Sequence, residues 1–325
     1  MKNLLSFFNL GWNMSVFDAA LKNNTSEIIE YLKMGNVNIV DDRNASLLHY
    51  AARGNAIDVA NILIQNYIDI NKVDINGESA IFEVVRTGKM GFIKLLLRFH
   101  ADINIINRFG ESLLFKAIIK NNQDVIDLLL ENGNYNIYLE NQNGENLLFY
   151  TLKTVNNQLF IHYAECYPKL LESIDYHHTN LLMKAIYYQN TEIVAYLLEK
   201  NFNLYALDND GNNALFYAAK YANTEIVKLL LNKKPILLGK NNDGLTINDL
   251  IKEELNFIFD NYLNCSEYKY YLKTYPFHAA IVARNYDLLE RVLPSIDIKK
   301  RDMYDISLLD YLQMVNDDEL HKLFH

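Results

Sequence analysis

Apolar side chains along residues 107–139 fall in two short runs at helical spacing. Leu113, Leu114, Ala117 and Ile118 form the first run, and Asn121-Asn122 breaks it. Val125, Ile126, Leu128, Leu129 and Leu130 form the second, which Asn132-Gly133 closes. This spacing predicts a pair of short amphipathic helices. Gly110 precedes the first run, where a tight turn needs φ > 0, a conformation that Gly, Asn or Asp adopts readily. Ser112 follows as an N-cap whose hydroxyl accepts a backbone N–H. Asn and Gly suit the left-handed residue after a helix. The predicted unit is turn, helix, turn, helix, loop.

The unit recurs. Its turn position is held by Asn13, Asn44, Gly77, Gly110, Gly144, His178, Gly211 and Gly244, and more loosely by Lys273 and Asp305. Successive spacings are 31, 33, 33, 34, 34, 33, 33, 29 and 32. The cap position carries Ser15, Ser46, Ser79, Ser112, Asn146, Asn180, Asn213, Thr246 and Ser307. Tyr275 is the exception, and Pro276 after it is itself a helix-start signal. A fixed period of this size predicts a solenoid in which each unit packs only on its neighbours.

Two stretches carry a resemblance: SLLHYAARGNAIDVANILIQNYIDIN (46–71) and NALFYAAKYANTEIVKLLL (213–231). An Asp or Asn also recurs three residues before the turn, at Asp41, Asp74, Asn107, Asn141, Asp175, Asp208, Asn241 and Asp302. The chain resembles the ankyrin-repeat family over residues 13–325, most strongly in the middle. The resemblance implies an all-α ankyrin-repeat solenoid of about ten helix-turn-helix repeats with short β-hairpin loops. Hairpins and first helices would line its concave side. The expected boundaries are an N-terminal segment at 1–12, then 13–43, 44–76, 77–109, 110–143, 144–177, 178–210, 211–243, 244–272, 273–304 and a C-terminal cap at 305–325. The repeat at 144–177 is degenerate in its second helix and that at 244–272 is irregular, so a bend or stacking defect is expected near 250–275. The family's Thr-Pro-Leu-His box reads Ser-Leu-Leu-His at 46–49, and its His is replaced by Phe82, Phe115, Phe149, Met183 and Phe216, which predicts apolar packing there.

The net charge of −9 argues against a general affinity for nucleic acid or anionic membrane. Cys166 and Cys265 are expected to be reduced, packed residues, not a disulfide framework. The start, Met1–Trp12, has one Lys and a short apolar run but no small-residue cleavage site, and is expected to pack on the first repeat. No run approaches the ~20 apolar residues of a membrane span.

Catalytic chemistry finds no purchase. The glycines follow the repeat and not a phosphate loop, and no His-Glu-x-x-His or Cys-x-x-Cys spacing occurs. His177-His178 falls on a hairpin tip, and His49 and His278 occupy the family's structural His position. Glu27, Asp58, Asp124, Glu192 and Glu225 recur at one outer-helix register, as first-turn acids do. No catalytic residue, metal or cofactor is expected.

The resemblance places partner contacts at the hairpin tips and at the ends of the first helices. Lys22, Arg53, Arg86, Lys120, Lys153, Lys220 and Lys252 stand at those helix ends, with Tyr187-Tyr188 breaking the series. Cations there suit the helix dipole, but Phe109, Tyr176, Tyr187, Tyr188 and Tyr221 are aromatic at contact positions, with Arg108 and His177 beside them. Tyr and Arg are enriched at interface hot spots. The expectation is a monomeric, cytoplasmic protein-binding scaffold. Its concave surface from Arg53 to Tyr221 would meet an acidic protein partner through Arg53, Arg86, Arg108, Phe109, Lys120, Lys153, Tyr176, His177, Tyr187, Tyr188, Lys220 and Tyr221. Alternatives are a bacterial effector in a host cytosol or an immunity-type inhibitor, a nucleic-acid binder, and an enzyme with a site in the degenerate repeats.

Overall fold

The computed structural model describes residues 16–133, 135–154, 156–293 and 296–324. The expected segment 1–12, the turn residue Asn13 and the cap Ser15 lie outside them. The chain divides into two compact units, one up to Gln142 and one from Asn143 onwards.

Short helices in pairs build the first unit. They are α1 (16–21), α2 (Thr25–Leu32), α3 (Leu47–Gly54), α4 (Ile57–Gln65), α5 (Ala80–Thr87), α6 (Met90–Arg98), α7 (Leu113–Ile119) and α8 (Gln123–Asn132). Each first helix buries the stripe that the pattern assigns it; in α5 these are Ala80, Ile81, Phe82, Val84 and Val85. The box residues Phe82, Phe115, Phe149, Met183 and Phe216 are all buried. His49, which keeps the family residue, is buried too and works locally. Its Nδ1 accepts from Ser46 N–H at 3.1 Å, and its Nε2 lies 3.0 Å from the Glu78 carbonyl of the next repeat.

The hairpins are reduced to single bridges, such as Val40 with Ser46 and Val73 with Ser79, and no strand forms among the described residues. The recurrent Asp or Asn explains how so little pairing suffices. Asp74 Oδ1 accepts the N–H groups of Asn76 and Glu78 at 2.8 and 3.1 Å. Asp41, Asn107, Asp175, Asp208, Asn241 and Asp302 each accept from the residues two and four further on. One buried oxygen thereby closes each tip as an Asx turn. The turn position has φ of 60° to 76° at Asn44, Gly77 and Gly110, and 56° at His178. Tips are linked from repeat to repeat by one backbone bond each, for example Ile75 N–H to Arg43 O at 2.8 Å and Tyr176 N–H to Asn143 O at 2.8 Å.

The second unit starts in the same way with α9 (Leu147–Leu152), α10 (Asn157–Cys166), α11 (Leu181–Tyr187), α12 (Thr191–Glu199), α13 (Ala214–Tyr221) and α14 (Thr224–Leu231). Where the pattern weakens, α10 is still ten residues long, because Leu159, Phe160, Tyr163 and Ala164 keep a buried stripe. A 3-10 turn at Pro168–Glu172 follows it. Cys166 is exposed at the end of α10, not packed as expected, with its Sγ 3.9 Å from the His162 ring. It stands on the solvent side of that stripe.

Regularity ends after Asn242. The first helix of the next repeat shrinks to α15 (Ile247–Leu250), followed by a 3-10 turn at Glu253–Leu255 and α16 (Asn256–Asn264). An additional helix, α17 (Ser266–Thr274), then appears, and Lys273, expected at a turn, lies inside it. The boundary expected at 272/273 falls within the same helix. The last helices are α18 (Pro276–Val282), α19 (Tyr286–Val292), α20 (Leu308–Val315) and α21 (Asp318–Phe324).

These last helices do not continue the tip ladder. They pack back on the loops after α12 and α14. Asn203 Nδ2 donates to Met314 O at 2.7 Å, and the rings of Tyr205 and Tyr311 stand 5.6 Å apart. Arg284 donates to the Lys240 carbonyl. Tyr205 OH accepts from Ile236 N–H and Tyr268 OH from Leu237 N–H, each at 3.0 Å. Asp302 Oδ2, at the centre, accepts from Tyr271 OH at 2.5 Å and Tyr311 OH at 3.0 Å. The expectation that every repeat touches only its neighbours therefore fails in this unit. Burial drives the Tyr205, Tyr271 and Tyr311 phenols well above their ordinary pKa and pushes that of Tyr268 up to about 12, so all four are neutral hydroxyls, and Tyr271 and Tyr311 keep the proton they donate to Asp302.

Candidate interaction surface

The sequence-assigned contact residues sit at two kinds of place. Arg108 and Phe109, and Tyr176 and His177, are exposed at hairpin tips. Tyr176 rests on its neighbouring turn, its ring edge where a Cβ on Gly144 would stand. Arg53, Arg86, Lys120, Lys153, Tyr187, Tyr188 and Lys220 are exposed at or just after the ends of the first helices. Tyr221 is half-buried.

In the second unit some of these side chains come together. Tyr187 and Tyr221 meet edge to face at 5.0 Å, one repeat apart. Tyr188 meets Tyr187 in the same way at 5.3 Å. Tyr217, one turn before Tyr221 on α13, adds a fourth ring at 5.8 Å. Sequence reading missed it, although the i, i+4 spacing to Tyr221 is visible in FYAAKY. Its hydroxyl is tied to Asp208 Oδ2 at 2.9 Å. The Lys220 ammonium lies 5.1 Å from the centre of the Tyr221 ring. Edge-to-face pairs contribute about 0.5–1.5 kcal/mol each beyond their buried area. The rings thus hold one another in place while Tyr187 and Tyr188 stay open to solvent.

The cations are less uniform than the helix-end series implies. Arg86 pairs with Glu83, and Lys153 Nζ lies 2.9 Å from both Glu145 oxygens. Their charges are partly spent within their own repeats. Arg53 lies over the Tyr50 ring at 5.1 Å, and neither it, Arg108, Lys120 nor Lys220 forms an ion pair among the described residues. Some capping that the dipole argument assigns to these residues is done from the next repeat: Lys89 Nζ reaches the Arg53 carbonyl at 2.8 Å, and Lys252 Nζ the Tyr221 carbonyl at 3.3 Å. A cleft of about 180 Å³ beside Tyr217 and Tyr221 brings in Asp210 and Asp243 from the tips. The second unit is therefore aromatic with mixed charge. Positive charge without a carboxylate partner is clearest in the first.

No group of three or more His, Cys, Asp or Glu side chains able to hold a metal occurs among the described residues. No helix among them is long and apolar enough to cross a membrane.

A family model for ankyrin repeats (3 copies) matches residues 80–162 and 155–243, and one for ankyrin repeats (many copies) matches 48–97. Paired helices, Asx-closed tips and these matches place the protein in one class: the chain belongs to the ankyrin-repeat family. Such repeats generally mediate protein–protein interaction. No curated protein matches the chain.

Proposed function

We propose that this chain is a non-catalytic, monomeric scaffold that binds another protein at the ends of its first helices and at its hairpin tips. The ring cluster of Tyr187, Tyr188, Tyr217 and Tyr221 is the observation that carries this reading. The scaffold does not require aromatics there, since the same register holds Arg53-Gly54, Arg86-Thr87 and Ile119-Lys120 elsewhere. Pre-ordered tyrosines lose little side-chain entropy on binding and offer both apolar and polar contact. In the first unit Arg53, Arg108 and Lys120 favour an acidic surface or segment of the partner, so association there weakens with salt.

The test is a comparative pull-down with mass spectrometry. Tyr187→Ser/Tyr221→Ser and Arg53→Glu/Lys120→Glu are expected to lose the partner. Arg86→Glu/Lys153→Glu is expected to retain more of it, because Glu83 and Glu145 already neutralise those cations. Equal recovery by the wild type and all three variants overturns the reading.

A further inference from the structure

Where the C-terminal helices fold back on the loops after α12 and α14, the seam does not close completely. A crevice of about 400 Å³ remains, within the range of about 300–1,000 Å³ that small-molecule sites occupy. Leu198, Phe202 and Tyr205 line one wall, and Ile306, Tyr311 and Met314 the other. The two tyrosines present rings and not free hydroxyls, because Tyr205 OH is held by Ile236 N–H and Tyr311 OH donates to Asp302. The lining is accordingly mostly apolar; Asn201 and Gln313 add polar groups, and the Asn203 amide is bonded to Met314 O and Tyr205 N–H.

The rim carries charge. Lys233 and Lys234 both reach it. Lys234 is paired with Glu267 at 2.6 Å, whose other oxygen accepts from Tyr304 OH at 3.1 Å. The carboxylate at the rim, Asp310, is turned to the start of α20, where its Oδ2 accepts Ser307 N–H at 2.8 Å and faces Arg301 at 3.9 Å. Lys233 has no ion pair among the described residues and is exposed. A mostly apolar crevice with one unpaired ammonium among its lining residues complements an apolar molecule with a single negative end.

We propose that this seam binds a small amphipathic carboxylate, a medium-chain alkyl or an aryl acid, with its body between Tyr205 and Tyr311 and its carboxylate at Lys233. This site is separate from the protein-binding surface and stands or falls independently of it.

Isothermal titration of the full chain with octanoate and with 2-naphthoate tests it, with 1-octanol as the uncharged comparison. One saturable site is expected for at least one acid, with octanol about tenfold weaker, since a charge-assisted bond is lost. Lys233→Glu is expected to weaken the acid about tenfold by reversing the rim charge. Gln313→Trp, at an exposed lining position, is expected to abolish binding by filling the mouth. Lys94→Glu, an exposed change in the first unit, is expected to bind as the wild type does. The proposal is overturned if neither acid binds saturably in the low-millimolar range, if octanol matches octanoate, or if Lys233→Glu and Gln313→Trp bind like the wild type.

Discussion

Ser79 and Ser112 hold the same place in successive repeats and do different work. Ser112 Oγ accepts Phe115 N–H, whereas Ser79 Oγ is buried without a hydrogen-bond partner. Ser112→Ala is expected to cost about 1 kcal/mol. Ser79→Ala is expected to be neutral or stabilising, because it removes an unsatisfied buried hydroxyl. Chemical denaturation of both variants checks this. Asp175 carries more. Its Oδ1 closes the tip and its Oδ2 lies 2.9 Å from Lys184, with only 2% of the side chain exposed. Asp175→Ala orphans two N–H groups and one ammonium and is expected to cost about 3 kcal/mol or more, whereas Asp175→Asn keeps the Oδ1 acceptor and costs less. His49 adds a pH dependence. Burial lowers its pKa below the ordinary 6.5, so the unfolded chain binds the proton more readily. Its contribution is complete above about 6.5 and is lost as the pH falls through that value towards the lower folded pKa. Melting curves are expected to show stability falling on acidification, and falling less steeply in His49→Gln.

At the scale of elements, most helices follow from their stripes, and α17 is the informative exception. Its residues SEYKYYLKT buried only Tyr268 and Tyr271 and would not be read as a core helix from apolar content. What holds it is tertiary: Tyr268 OH accepts the buried Leu237 N–H, and Tyr271 reaches Asp302. Tyr268→Phe leaves that amide without its acceptor and is expected to cost about 1–3 kcal/mol. Loss of amide-exchange protection at Leu237 is the specific readout; a uniform loss across the unit would mean that the bond is not what anchors α17. The short α15 fits the same picture. Gly244, at the tip before it, has nothing within 4 Å where a side chain would project, unlike Gly110, whose would meet Asn141. Among the described residues, no further tip stacks on it.

At the scale of the second unit, the fold-back seam replaces the open end that a regular stack would leave. Tyr311→Ala removes a fully buried ring and is expected to cost about 3–5 kcal/mol. Hydrogen exchange is expected to rise in 201–205, 233–240 and 276–324 together, while α9 to α11 keep their protection. If only α20 loosens, the C-terminal helices are not docked as one body. Cys166 belongs at this scale as well. Its thiol is exposed beside His162, so it is expected to react with a maleimide in the folded protein, where the half-buried Cys265 reacts more slowly.

The sequence alone determined the repeat, because a period near 33 residues stacks like residue on like residue. Turn glycines, caps, the apolar box and the Asx acceptors all act within a repeat or on the next one. Tyr187 and Tyr188 were legible as an aromatic pair at one register for the same reason, and Tyr221, which meets Tyr187, is one period away. The tertiary structure decided what depends on longer reach or on side-chain direction. It turned Glu83 and Glu145 onto Arg86 and Lys153, which the helix-end series could not show. It joined Asn203 to Met314 across 111 residues. Periodicity carries no information about such a pair, whose meeting rests on where the chain turns after α17. The crevice between Tyr205 and Tyr311 exists only because of that turn.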